Sequence, residues 1–181
     1  GSAPSPVHGT EVLPADPASV AQTRFSVTGT SLLRVIALQD DWSPSPVVTE
    51  TYLFLDQVVH QPADPPGLPA EWDGLSEAPV TGDYEMDPEV VEDPSYTADL
   101  MAGLREIPTL SVVMDPEDLW GNEGIYIDSA ERGAAWKRPA SVEMILPDGT
   151  TAFAENAQIE IHGWGWRYHS ATKKHSFRLE F

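Results

Sequence analysis

Strict polar–apolar alternation in the last quarter of the chain constrains the fold most. Ala157-Gln-Ile-Glu-Ile-His162 and His175-Ser-Phe-Arg-Leu-Glu-Phe181 put an apolar side chain at every second position. Period two matches a pleated strand with one face buried and is incompatible with a helical stripe. Ala140-Ser-Val-Glu-Met-Ile-Leu146 leads into Pro147-Asp148-Gly149-Thr150 and Thr151-Ala-Phe153, a strand, turn and strand with Pro-Asp-Gly at the reversal. Thr109–Met114 and Gly124–Ile127 read as two further short strands, separated by a capped helical turn at Asp115-Pro116-Glu117-Asp118. The segment 108–181 is therefore expected to be strand-dominated.

Upstream the pattern changes twice. Ser31–Leu38 and Val47–Phe54 read as paired strands that need cover on their apolar face. Residues 57–107 carry Pro62, Pro65, Pro66, Pro69 and Pro79 among glycines, which forbids continuous helix or a central strand. A surface-hugging connector is expected there, pinned to the body by Trp72, Tyr84 and Met86. Asp93 followed by Pro94 opens one short helix near 94–105, with Asp93 as cap and Pro94 in the first turn. The expected divisions are thus 1–56, 57–107 and 108–181, in a mainly β chain. Strand pairs left without their usual cover favour a homodimer.

Charge narrows the partners. The 181 residues hold 29 acids and 10 bases, a net charge of −19, and no cysteine. Residues 1–104 contribute 17 acids against two bases, whereas 158–181 carry Arg167, Lys173, Lys174 and Arg178 against Glu160 and Glu180. An acidic surface repels nucleic acid and anionic headgroups, so any anion is expected at the basic end. No apolar run reaches the roughly 20 residues of a membrane span, and none is expected to insert. The missing thiols exclude disulfides, thiolate catalysis and cysteine-held metals.

Several groups of residues offer chemistry. Trp164, Trp166 and Tyr168 at alternate positions would share a face if extended, which suits a sugar-stacking platform or a covered aromatic patch. Lys173, Lys174, Arg167 and Arg178 are candidates to attract a phosphate or sulfate, although as solvated strand charges they need no ligand. His162, His169 and His175 would make a transition-metal set if the loop folds back. Asp115, Glu117, Asp118 and Glu123 surround a capped turn and are the best place for calcium, although capping alone accounts for Asp115. No Gly-x-Ser-x-Gly elbow occurs, so a hydrolase would need a site of another kind, and no catalytic residue is assigned.

Two resemblances add to this. Gly29-Thr-Ser-Leu-Leu-Arg-Val-Ile-Ala37 and Ser45-Pro-Val-Val-Thr-Glu-Thr-Tyr-Leu-Phe54 resemble the second half of a chitobiase C-terminal-like, immunoglobulin-type sandwich. Ile107-Pro-Thr-Leu-Ser-Val-Val-Met-Asp-Pro-Glu-Asp-Leu119, Gly124-Ile-Tyr-Ile127, Lys137-Arg-Pro-Ala-Ser-Val-Glu143, Ile159-Glu-Ile-His-Gly163 and Lys173-Lys-His-Ser-Phe-Arg-Leu179 look like the opening of the CotH family. That resemblance implies the amino-terminal lobe of an atypical, kinase-like fold in an exported bacterial protein, extracellular or at the cell surface. By analogy 162–167, with Gly163 and Gly165 leaving backbone amides open, would be the phosphate-covering loop, and Lys174 the lysine on a nucleotide's phosphates. ATP and magnesium would then belong to a full-length parent, because the carboxylates of a second lobe do not lie within these 181 residues. The expected role is binding or structural, toward a polysaccharide or a cell-surface protein. The alternatives are a polysaccharide-binding module on the aromatic trio, or an enzyme that handles a nucleotide or anion through Lys174 and Arg167.

Overall fold

A computed structural model describes residues 2–5, 7–16, 18–74 and 77–181; Gly1, the first residue of the expected 1–56 unit, lies outside them. The chain is mainly β, with antiparallel sheets and few helices. The elements run β1 (Ser31–Val35), β2 (Val48–Tyr52), α1 (Leu55–Val59), β3 (Glu71–Gly74), β4 (Glu77–Thr81), α2 (Pro88–Val91), α3 (Pro94–Glu106), β5 (Thr109–Met114), α4 (Pro116–Trp120), β6 (Arg138–Ile145), β7 (Thr151–His162) and β8 (Ser176–Glu180). β1 pairs with β2, β3 with β4, and β5-β6-β7-β8 form one antiparallel sheet in chain order.

That order follows from short connections. Pro147–Thr150 reverses the chain because Gly149 adopts φ +81°, while Asp148 Oδ1 accepts from the Thr150 amide at 2.9 Å and its hydroxyl at 2.6 Å. Asp93 and Asp115 cap α3 and α4, each helix having Pro in its first turn. The expected helix near 94–105 is α3, and the Asp115 turn is α4.

The sheet has two dissimilar faces, set by alternation. Met144 pairs with Phe153, Ala140 with Ala157 and Ile159 with Leu179, placing Met114, Ala140, Ile159 and Ile161 on the core side. Trp72, 3% exposed, closes this core with Ile125 and Tyr126, and stacks on Trp120 at 5.8 Å. Trp72 Nε1 donates to Tyr84 Oη at 2.8 Å, and that hydroxyl donates to Pro69 O at 2.8 Å. The Pro-rich segment is thus pinned as expected by Trp72 and Tyr84. It also contains a two-stranded ladder, β3–β4, which tolerates Pro79 because it is no central strand.

Gly124–Ile127 is a correction. These residues form turns, with Ile125 N–H bonded to Asp118 O and Tyr126 N–H to Leu119 O, both at 3.0 Å. A Cβ on Gly124 would stand 2.5 Å from Leu119 O, so only glycine lets the turn fold back against α4. The apolar pair fills the core without pairing in a sheet.

The opposite face of the sheet is polar and receives the β1–β2 hairpin. Thr49 Oγ1 donates to Ser141 Oγ at 2.9 Å, which donates onward to Asn156 Oδ1 at 2.9 Å. Buried Glu143 accepts from the Thr51 amide at 2.9 Å and from Thr151 Oγ1 at 3.0 Å. The hairpin is therefore docked by hydrogen bonds across a crevice of about 170 Å³. Its outward residues, Val35 and Val48 among them, stay exposed.

Candidate functional site

The loop joining β7 to β8 carries most of the candidate residues. Gly163 leaves the end of β7 with φ +120°, a conformation that favours glycine, and Gly165–Arg167 then form one 3-10 turn. The segment is not extended, so alternation does not order its side chains. Arg167 turns inward while Trp164, Trp166 and Tyr168 remain 79%, 67% and 43% exposed. A Cβ at Gly165 would meet nothing, so the local fold does not demand glycine there.

Arg167, only 6% exposed, works as a clamp. Its Nε donates to Gly163 O at 2.9 Å, Nη1 to Ser129 O at 3.1 Å and Glu131 O at 2.6 Å, and Nη2 to Ile161 O. One guanidinium thereby ties the 129–131 turn to the end of β7 and to the loop that follows. Burial lowers its pKa, with Arg132 adding repulsion and Glu160 opposing it. Its donors are committed to carbonyls, which leaves little for a phosphate.

Lys174 lies in the bend before β8, beside the connector, with Nζ 3.7 Å from Asp83 Oδ2. Lys173 is exposed in the same bend, and its carbonyl accepts from Tyr126 Oη at 2.9 Å. Neither lysine lines the cleft that holds Arg167. The structure thus does not gather Lys173, Lys174, Arg167, Gly163 and Gly165 around one anion site.

The histidines divide between the two sides of the sheet. His162 is exposed at the end of β7, on the face opposite Ile161. His169 and His175 are buried against Tyr126, with His175 Nε2 3.0 Å from His169 Nδ1. His175 Nδ1 faces Trp166 O at 3.0 Å and His169 Nε2 faces Tyr126 O at 3.2 Å, so the pair anchors the loop to the core. Around α4, Asp115 Oδ1 accepts from the Glu117 amide at 3.0 Å, Arg138 Nε stands 3.6 Å from Asp118, and Arg138 Nη2 donates to Glu123 O at 2.6 Å. A cap and a guanidinium occupy the place proposed for calcium. Among the described residues, no three His, Cys, Asp or Glu side chains are placed to hold a metal ion.

The same face as His162 carries a cleft of about 400 Å³, missed in the sequence because its lining comes from separate segments. Arg132, Lys137, Arg167 and Arg178 contribute four cations there against Glu160 and Glu180. Lys137 Nζ meets Glu180 at 2.5 Å and Arg178 Nη1 meets Glu160 at 3.0 Å. Arg132 lies over the Trp164 ring, its Cζ 4.7 Å from the centroid, which sets the exposed indole at the cleft rim. No family model, curated protein or solved structure matches the chain.

Proposed function

We propose that the chain is a polysaccharide-binding module whose ligand lies on Trp164 and Trp166 and reaches into the adjoining polar cleft. The observation that carries this reading is the exposure of both indoles, 79% and 67%, on a loop whose other side is locked to the core by Arg167, His169 and His175. A rigidly mounted aromatic face loses little entropy when a sugar ring stacks on it, and nearby charged groups bond the hydroxyls.

A phosphoryl-transfer role is less well supported, since Arg167 is spent on carbonyls and Lys174 sits beside Asp83. The CotH resemblance enters as the context of an exported protein in which such a module would meet surface glycans. Retention of the protein on insoluble polysaccharides tests the reading. The unchanged chain is expected to sediment with at least one glycan, and the Trp164→Ala, Trp166→Ala double variant to stay in the supernatant with an unaltered circular dichroism spectrum. Failure of the unchanged chain to bind any glycan, or equal retention of the variant, overturns it.

A further inference from the structure

We infer that the glycan taken up by this loop is acidic, with a carboxylate or sulfate group of a sugar seated on Arg132; this rests on the polysaccharide reading above. The charge pattern carries it. In a chain of net charge −19, the cleft beside Trp164 has cations in excess, and each is accounted for but one. Lys137 and Arg178 face Glu180 and Glu160, and Arg167 is buried in carbonyls. Arg132 is exposed and, among the described residues, its guanidinium has no carboxylate or carbonyl partner; it lies over the Trp164 ring.

A guanidinium lying over an indole keeps its in-plane N–H donors for an oxyanion and is held in place by the ring. Charge-assisted, two-point bonding at Arg132 then adds to stacking of a neighbouring sugar of the same chain on the indole face that Arg132 leaves open. The buried Arg167 lies close enough to Arg132 for the two charges to repel, so it adds to the positive field at that position. Among the described residues no acid of 1–104 lines the cleft, so those acids oppose the approach of a polyanion from outside it. At 0.15 M salt the Debye length is about 8 Å, so that repulsion is screened while a contact pair at Arg132 persists.

Affinity electrophoresis at 0.15 M NaCl separates the possibilities, using polygalacturonate against its methyl ester and dextran sulfate against dextran. Stronger retardation by the charged member of at least one pair, about tenfold in apparent Kd, is expected, and the pair concerned identifies carboxylate or sulfate as the group recognised. Arg132→Gln is expected to bring that ratio down to about two or less. Equal or stronger binding of the uncharged members overturns the acidic preference while leaving the glycan reading intact. A ratio unchanged in Arg132→Gln removes Arg132 as the seat. Absence of binding to all four polymers, and to insoluble glycans, removes both inferences together.

Discussion

Replacing Arg167 tests whether its role is structural or ligand-binding. The side chain is 6% exposed and donates to four carbonyls drawn from three segments, 129–131, the end of β7 and the loop after it. A hydrogen bond to a charged group contributes about 1.5–3 kcal/mol net, but carbonyls released by truncation regain part of this from water. Counting roughly half of the four bonds as lost gives about 3–6 kcal/mol for Arg167→Ala, a large share of the roughly 5–15 kcal/mol that holds a domain folded. With a urea dependence of about 2 kcal/mol per molar, the midpoint should fall by about 2 M. Arg167→Lys keeps the charge but not the planar fork, and is expected to recover less than half of the loss. Urea unfolding followed by far-ultraviolet circular dichroism reads both variants. A change below about 0.5 kcal/mol for Arg167→Ala, or full recovery by lysine, refutes the clamp and returns Arg167 to the anion-binding candidates.

Other perturbations follow from the same geometry. Glu143→Ala removes the acceptor of the Thr51 amide and the Thr151 hydroxyl, so it should cost about 2–3 kcal/mol and hasten proteolysis within 36–47; unchanged protease resistance would deny that Glu143 holds the hairpin. Trp72→Ala should cost about 3–5 kcal/mol, against little for Trp164→Ala, and equal urea midpoints for the two would misplace the core. Asp128 is raised above its ordinary 3.8 by burial first and then by Glu131 and Glu123. A raised carboxyl binds its proton more tightly when folded, so its contribution is present below 3.8 and lost as pH rises through the folded value. Asp128→Asn should therefore raise the urea midpoint at pH 7 and show no gain near pH 3; a lower midpoint at pH 7 would contradict this.

Much of the scaffold was legible from local pattern. Alternation in 157–162 and 175–181 located β7 and β8, and Asp93-Pro94 and Asp115-Pro116 located two capped helices. Period two also told core from surface along β7, where Ile159 and Ile161 are buried together on one side. What local pattern could not carry was the use of polar residues in long-range contacts. Thr49, Ser141 and Glu143 look like solvated strand positions, yet they are buried where the hairpin docks. Arg167 looked like a surface cation because its partners, Ser129 and Glu131, are some 36–38 positions away. The Gly124–Ile127 turn misled for a related reason: its apolar content signals burial, and burial alone does not distinguish a strand from a turn that glycine lets fold back. Arg132 gave no sequence signal, since only the fold brings it over Trp164.

The most direct test of the glycan-binding face is a titration of the 15N-labelled protein with oligogalacturonate at 0.15 M NaCl, followed through the indole and guanidinium N–H resonances. The indole signals of Trp164 and Trp166 and the Nε–H of Arg132 are expected to shift together and saturate with one Kd, while the buried Trp72 indole, bonded to Tyr84, stays in place. Shifts that cluster on Lys174 and Asp83 or on the β1–β2 hairpin, with Trp164 unmoved, would contradict the assignment of the loop as the binding face.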